Sequence, residues 1–250
     1  MQRYFILFSY NGSEYHGWQK QPSSNSVQEK MEACLTIYFQ QPIELTAAGR
    51  TDAGVHAQMM VAHFDCNTII ENNDKDLIYH LNSMLPWNIA IQDIRKVKPE
   101  AHARFDAIDR TYIYQICQQK DPFKQEFFHY CHWNLNIEAM NLAAEILIKN
   151  SDFESFAKVH SDVRTHICHL SHAQWTKENE NLYFKITADR FLRNMVRAIV
   201  GTLLDVGRGK LNIADIQLII DKKNRGAAGT SVPAKGLHIL DIRYPNELYL

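Results

Sequence analysis

Apolar residues recur along the chain with the periods of short strands and of amphipathic helices. In the first part of the chain, apolar and β-branched runs predict strands over residues 3–10, 43–48, 57–65 and 89–97. Helical spacing predicts one helix through Val27, Met31, Leu35 and Tyr38, and a second over residues 75–85. Ser26 and Glu29 have the spacing of a capping box, and Pro42 ends the first helix.

The second part of the chain repeats this mixture of strands and helices. Strands are predicted over residues 110–117, 165–176, 181–188 and 237–244. Asn136 is placed to cap one helix, a longer helix runs from about residue 190 to Gly207, and Asn212 starts another. This order predicts an α+β fold in which helices cover antiparallel sheets. The two halves look alike in architecture but share no convincing sequence repeat.

The composition is that of an ordinary globular protein of 250 residues, with 46% hydrophobic and 22% charged residues. No apolar run has the length of a membrane span, and the N-terminus lacks a signal-peptide pattern. The five cysteines have no paired spacing, which favours reduced thiols and a cytoplasmic location. Because the net charge is −1, a nucleic-acid partner would have to meet a local basic surface.

One carboxylate lies in an unusual setting. Residues 47–57 read Ala-Ala-Gly-Arg-Thr-Asp-Ala-Gly-Val-His-Ala and place Asp52 among small, turn-forming residues. Such a turn is held by its backbone, and its small neighbours leave room for a flat substrate ring, so Asp52 is a candidate nucleophile. An Asx-turn that merely links two strands would give a similar pattern from Asp-Ala-Gly alone.

Several blocks of the chain resemble the tRNA pseudouridine synthase A family. Gly-Arg-Thr-Asp-Ala-Gly-Val-His matches the signature around the family's catalytic aspartate, whose place Asp52 takes. Further matching blocks follow in the family's order and begin at Tyr10, His102, Phe191 and Pro233. They span the chain almost from end to end.

The resemblance implies two ferredoxin-like halves, over residues 1–100 and 101–250, whose antiparallel sheets join across a central active-site cleft, with helices outside. It also implies isomerisation of uridine to pseudouridine at nucleotides 38, 39 and 40, in the anticodon arm of tRNA. The base is detached and rejoined through carbon, so no cofactor is required. A homodimer that contacts one tRNA with both subunits is a further implication, and it would let a nearly neutral chain build a basic groove.

Three residues take catalytic places by this resemblance. Asp52 is the nucleophile, and attack at C6, attack at C1′ and assistance to elimination all stay open. Tyr112 stacks on the target base and has a hydroxyl able to transfer protons. Arg197 pairs with the carboxylate and keeps it ionised beside an apolar base. Taken alone, the tyrosine would read as a strand-packing residue and the arginine as part of a solvated helix face.

Other residues take substrate-binding places. Arg50 fills the space left by the extruded base, although an ordinary salt bridge would explain it equally well. Leu237 resembles the apolar residue against which the base packs, and alone would pass for core. Arg190, Arg193 and Arg197 have the spacing of one basic stripe on a helix, where the first two are candidates for phosphate contacts.

A metal site and a nucleotide cofactor receive little support. His166, Cys168 and His172 would share one face of a strand, with His169 beside them, and such donors suit zinc. A fourth ligand at a standard spacing is missing, so ordinary polar roles are favoured. No Gly-rich phosphate loop or Rossmann fingerprint supports ATP, NAD or S-adenosylmethionine. A noncatalytic RNA-binding module and a zinc protein are the alternatives to an enzyme.

The chain departs from the family in one loop. Residues 226–234 read Gly-Ala-Ala-Gly-Thr-Ser-Val-Pro-Ala, where the family often has Ala-Gly-Pro-Thr-Ala-Pro-Ala. The change covers Thr230 to Val232 and removes the first proline. This predicts a loop with more conformational freedom, without changing the catalytic assignment.

Overall fold

The computed structural model describes residues 1–72, 74–159 and 163–250. Contacts divide the chain into two compact units. The first unit contains Met1–Ile108 together with His238–Leu250, and the second contains Asp109–Leu237. The chain therefore leaves the first unit after residue 108 and returns to it for its C-terminal residues.

Strands and helices are mixed along the described residues, which confirms the predicted α+β class. The strands are β1 (Gln2–Tyr10), β2 (Thr46–Ala47), β3 (His56–Cys66), β4 (Ile89–Lys96), β5 (Asp109–Cys117), β6 (His129–Tyr130), β7 (Leu170–Glu178), β8 (Asn181–Ala188) and β9 (Leu237–Arg243). The helices are α1 (Val27–Phe39), α2 (Lys75–Met84), α3 (Ile137–Ile148), α4 (Met195–Gly207) and α5 (Asp215–Asp221). Of these helices, none is both long enough and apolar enough to cross a membrane.

In the first unit, β1 lies between β4 and β3 and is antiparallel to both. The short strand β2 pairs antiparallel with β3. Strand β9 lies parallel to β3, with His56 opposite His238. Helix α1 buries Val27, Met31 and Leu35, three of the four apolar positions that predicted it, whereas Tyr38 is 37% exposed. Burial of these side chains stabilises the helix because the isolated segment is too short to be stable in water.

In the second unit, β8 pairs antiparallel with β5 on one side and with β7 on the other. Strand β6 adds a short parallel pairing to β5. Helix α4 is buried on nearly all sides, which agrees with its run of Val, Ala, Ile and Leu residues. Asn136 caps α3 by accepting a hydrogen bond from the Ala139 N–H, as the sequence predicted.

Four elements differ from the sequence predictions, and one of them is α5, which begins at Asp215 rather than at Asn212. Strand β2 is two residues long, β7 begins at Leu170 rather than at residue 165, and α4 begins at Met195 rather than near 190. The late start of α4 follows from Asn194, whose φ of +66° is left-handed and does not belong to a right-handed helix. Arg190 and Arg193 precede the helix, so the predicted arginine stripe on one helix face is wrong.

Candidate active site

Asp52 lies in a tight turn that connects β2 to β3. The Asp52 backbone carbonyl accepts a hydrogen bond from the Val55 N–H at 3.2 Å. Gly54 closes the turn with φ +76°, a left-handed conformation that glycine adopts without steric cost. The Asp52 residue is half-buried, so the turn leaves it partly accessible from solvent.

The segment from Tyr10 to Trp18 holds this turn in place. The Tyr10 and Thr51 hydroxyls are 2.9 Å apart. The Thr51 carbonyl accepts from the Trp18 N–H at 3.3 Å, and the Gly54 N–H donates to the Tyr15 carbonyl at 3.3 Å. Hydrogen bonds on both sides of Asp52 therefore set its position through the backbone.

Two glycines in the same segment allow this close approach. A Cβ on Gly12 would overlap the Val55 carbonyl oxygen, and one on Gly17 would overlap the Thr51 carbonyl oxygen. Gly17 also has φ +99°, which side chains of L-residues rarely tolerate. The two chain segments are thus in backbone contact around the Asp52 turn.

The substrate-binding candidates Arg50 and Leu237 lie in different surroundings. Arg50 is exposed at the start of the Asp52 turn, where its guanidinium is available to a ligand in solution. Leu237 is the first residue of β9 and is 6% exposed, so most of its side chain is already packed against protein.

Tyr112 lies on β5 and is half-buried. Its register partner on β8 is Ile186. The Phe191 ring packs against the Tyr112 ring, with centroids 5.0 Å apart and planes at 79°, the edge-to-face arrangement favoured by aromatic quadrupoles. This contact restricts the orientation of the Tyr112 ring.

Arg197 lies on α4 and is half-buried. Its Nε donates to the Val232 carbonyl at 2.8 Å, and the Tyr114 hydroxyl donates to the next carbonyl, that of Pro233, at 2.9 Å. Burial raises the pKa of Tyr114, and the positive charge of Arg197 opposes that rise. Arg197 on α4 and Tyr114 on β5 thus bind two consecutive carbonyls, those of Val232 and Pro233.

Further side chains hold the loop of residues 225–236. The Ser231 hydroxyl accepts hydrogen bonds from Asn194 Nδ2 at 2.6 Å and from Arg225 Nη2 at 2.8 Å. Arg225 Nη1 also donates to the Gly229 carbonyl at 3.0 Å. Asn194 is the left-handed residue before α4, so this contact links the loop to the start of the helix that carries Arg197.

The two phosphate-contact candidates lie in the segment before α4. Arg193 is exposed, and its carbonyl accepts from the Lys158 N–H at 3.0 Å. Arg190 is half-buried, and its N–H donates to the Asp189 carboxylate at 2.7 Å. Positive charge is therefore present on this segment, although the helix stripe expected from the spacing is not formed.

The predicted histidine and cysteine group does not form one strand face. Cys168 precedes β7 and is buried, and burial raises the pKa of its thiol to about 12. His169 instead pairs with Asp189 at 2.9 Å.

A different group approaches metal-ligand spacing. Asp152, Glu154 and His166 bring ligand atoms within 4.8 Å of one another. The Asp152 carboxylate already holds the Lys223 ammonium at 2.7 Å, which neutralises part of the charge that a cation would need.

Sequence reasoning missed the residues that position the candidates. Tyr114, Arg225 and Ser231 have no local pattern that sets them apart from packing or solvated residues. His56 belongs to the Asp52 segment, but nothing in its spacing predicts a buried imidazole. Their roles depend on contacts between residues far apart in the sequence, such as the 119-residue separation between Tyr114 and Pro233.

Comparisons with known proteins identify the family to which the chain is similar. The model of the tRNA pseudouridine synthase family matches residues 6–106 and 143–245, and Tyr112 lies between these ranges. Proteins called tRNA pseudouridine synthase A from Parabacteroides distasonis and Bacteroides fragilis are each 50% identical to the chain. The alignments cover all of this chain and 98% and 99% of those proteins. A protein of the same name from Bacteroides thetaiotaomicron is 48% identical over all of this chain and 93% of its own length.

Proposed function

This chain belongs to the tRNA pseudouridine synthase family, and from that premise we propose that it isomerises uridine to pseudouridine in tRNA. The observation that carries the proposal is the Asp52 turn, held on both sides by the segment from Tyr10 to Trp18. A partly accessible carboxylate fixed through its backbone suits a nucleophile that must meet one base in one geometry.

The reaction needs no external group. The bond between N1 and C1′ breaks, the uracil turns, and a bond forms between C5 and C1′. The C5 proton leaves to solvent and N1 gains a proton, so atoms and electrons balance without an oxidant, a methyl donor or a nucleotide. The protein has to supply a nucleophile or base, an orientation for the detached ring, and exclusion of competing water.

Asp52 is the nucleophile in this proposal, and it acts at C6, at C1′ or by assisting elimination. Tyr112 stacks on the base, and its edge-to-face contact with Phe191 supports a fixed ring plane. Arg197 supplies the cation that keeps the carboxylate ionised, and its bond to the Val232 carbonyl supports a fixed guanidinium.

Arg50, Leu237, Arg190 and Arg193 complete the binding surface in this proposal. Arg50 occupies the space that the extruded base leaves, which its exposed position supports. Leu237 offers an apolar surface to the base. Arg190 and Arg193 contact phosphates, which the exposed position of Arg193 supports.

The finer points of architecture and assembly are also proposals. The first unit has the order β1-α1-β2-β3-α2-β4 with spatial order β4-β1-β3-β2, the connectivity of a ferredoxin-like half. A second half of this kind, a homodimer, a cytoplasmic location and the anticodon arm as the target are expected from the family resemblance.

The experiment compares the wild-type protein with Asp52→Asn and Asp52→Ala on tRNA transcripts labelled with tritium at uridine C5. Isomerisation releases the label, and sequencing after chemical marking maps each pseudouridine. We expect both substitutions to lower turnover by more than about 10³-fold and to leave tRNA affinity nearly unchanged. Asp76→Asn, at an exposed carboxylate on α2, is the control and should retain full activity.

The mapped positions test the anticodon arm separately from the chemistry. Pseudouridine formed by a correctly folded Asp52→Ala protein would remove Asp52 from the mechanism. A wild-type protein that binds these transcripts and releases no label would favour the noncatalytic RNA-binding module.

A further inference from the structure

His56 is a buried imidazole close to the proposed nucleophile. It is the first residue of β3, lies four positions after Asp52, and is 1% exposed. Burial of a polar ring is costly unless its nitrogens are used in hydrogen bonds or other favourable contacts. The surroundings of this ring therefore indicate what it contributes.

The Nδ1 atom of His56 accepts a hydrogen bond from the Gly12 N–H at 3.0 Å. An imidazole nitrogen that accepts carries no proton, so this bond requires a neutral ring with its proton on Nε2. Gly12 is buried, and its N–H belongs to the segment that holds the Asp52 turn. The bond thus joins a side chain at the start of β3 to the backbone of that segment.

A second contact sets the plane of the His56 ring. The His238 ring stacks on it, with centroids 4.6 Å apart and planes at 23°. His238 is the register partner of His56 in the parallel pairing of β3 with β9, and it is 4% exposed. The stack disfavours partial rotation of the ring, and a full flip would put Cδ2–H, which cannot accept a hydrogen bond, opposite the Gly12 N–H.

The Gly12 bond acts where the two segments are closest. Gly12 lies against the Val55 carbonyl so tightly that no Cβ would fit. Tyr15 and Trp18, in the same segment, bond to Gly54 and Thr51 on either side of Asp52. If the Gly12 N–H lost its acceptor, a buried donor would be left without a hydrogen bond, which is unfavourable. The segment from Tyr10 to Trp18 would then move relative to the Asp52 turn to give this N–H another partner.

We propose that His56 is a positioning residue for Asp52: its neutral imidazole accepts from Gly12, is oriented by His238, and fixes the turn that carries the nucleophile. The inference rests on the proposed function, because it assigns His56 to that reaction. A displacement of about 1 Å in a reacting group lowers rates by roughly 10²-fold. Loss of the acceptor should therefore reduce the rate of the chemical step and leave tRNA binding nearly intact.

The test separates the contribution of the accepting nitrogen of His56 from that of its stacked ring. His56→Phe keeps a ring that can stack on His238 but removes the acceptor. His56→Asn keeps an acceptor oxygen near the position of Nδ1 but removes the ring, whereas His56→Gln carries its oxygen one bond further away. His80→Phe, at an exposed histidine on α2 in the same unit, is the control. Each protein is checked by thermal melting and circular dichroism, and by its Kd for a tRNA transcript.

Single-turnover rates at saturating enzyme give the decisive readout. We expect His56→Phe to be slower than wild type by about 10- to 100-fold, with a Kd for tRNA within about twofold. His56→Asn should recover most of the rate and exceed His56→Gln by about tenfold, and His80→Phe should stay within about threefold of wild type. If His56→Phe does not fold, the comparison of His56→Asn with His56→Gln carries the test alone.

A wild-type rate in His56→Phe, equal rates in His56→Asn and His56→Gln, or a loss confined to tRNA affinity would overturn the positioning role. Failure of the proposed function is distinguishable, because it would appear as an inactive wild-type protein. An active wild type, an inactive Asp52→Asn and an unaffected His56→Phe together would overturn the role of His56 alone.

Discussion

The Asp52 turn in the first unit is held largely by backbone groups, whereas the loop of residues 225–236 in the second unit is held largely by side chains. Around Asp52, the Trp18 and Gly54 N–H groups donate to carbonyls of the neighbouring segment. In the loop, the side chains of Asn194, Tyr114, Arg197 and Arg225 donate to backbone carbonyls or to Ser231, beside a few backbone bonds such as that from the Val232 N–H to the Arg197 carbonyl. The first of the two proposed catalytic regions thus depends mainly on backbone N–H and carbonyl groups, and the second mainly on side chains.

This difference predicts how each region tolerates substitution. Backbone hydrogen bonds survive most side-chain changes, but they require the segments to approach closely, so glycines become the sensitive positions. The loop also lies close to other backbone at Gly201 and Gly229, but the hydroxyl and guanidinium groups that bond to it are a second kind of sensitive position. Substitutions at these two kinds of position test the comparison directly.

The largest effect is expected for Gly17→Ala. The new Cβ would overlap the Thr51 carbonyl oxygen, and the φ of +99° is unfavourable for alanine. We expect the free energy of unfolding to fall by about 3 kcal/mol or more, and turnover to fall with it because Thr51 precedes Asp52. Urea unfolding followed by circular dichroism measures the first quantity, and tritium release measures the second.

Gly209→Ala is the matched control for the clash at Gly17. Gly209 also has a left-handed backbone, with φ +71°, but a Cβ there would meet no atom within 4 Å. Backbone strain alone should cost about 1 kcal/mol and leave turnover unchanged. Equal losses in the two variants would mean that close approach around Asp52 contributes nothing beyond backbone strain.

A smaller loss of stability is expected at low pH, and it arises from His63 in the first unit. His63 on β3 accepts from the Ala103 N–H through Nδ1, and burial, assisted by the charge of Arg3, lowers its pKa from 6.5 to about 4. Below pH 6.5 the unfolded chain takes up a proton that the folded unit refuses, so stability falls until about pH 4 and then levels off. Between pH 7 and 5 this loss is at most about 2 kcal/mol.

The measurement is the free energy of unfolding as a function of pH for wild type and His63→Asn, which keeps an acceptor but cannot titrate. His80→Asn, at an exposed histidine on α2, is the control. The curve of His63→Asn should be flatter than that of wild type between pH 4 and 6.5, where the pKa of His63 matters. Parallel curves for all three proteins would show that His63 does not couple folding to protons.

The smallest effect is expected at Ser231 in the second unit. Ser231→Val removes the acceptor used by Asn194 and Arg225, whereas Ser231→Thr keeps it in a side chain of almost the same shape as valine. We expect Ser231→Val to be about 1 kcal/mol less stable than Ser231→Thr. Thermal melting of the pair checks this, and a threonine variant as unstable as the valine variant would contradict the role of the hydroxyl.

Local patterns predicted many elements well because the relevant interactions are local. Ser26 caps α1 by accepting from the Glu29 N–H, and Asn136 caps α3 in the same way. Strand β8 has the predicted bounds of residues 181–188. The start of α4 was missed because the left-handed Asn194 bonds through its side chain to Ser231, 37 residues away.

The residues of the candidate site also differ in whether local sequence can predict them. Asp52 stands out because its turn is encoded by adjacent Gly and Ala residues. The contact of His56 with Gly12 spans 44 residues, and the pairing of β3 with β9 spans most of the chain, so neither follows from a local period. The family resemblance selected Tyr112 and Arg197 as candidates, and their roles stay predictions.

The return of the C-terminal strand to the first unit has a consequence for biosynthesis. As the polypeptide emerges from the ribosome, β3 cannot pair with β9 until the whole second unit has been translated. His238, which orients His56, is among these late residues. A product released by premature termination before that strand would lack the stacking partner of His56, so the support of the Asp52 turn is complete only after β9 has been translated.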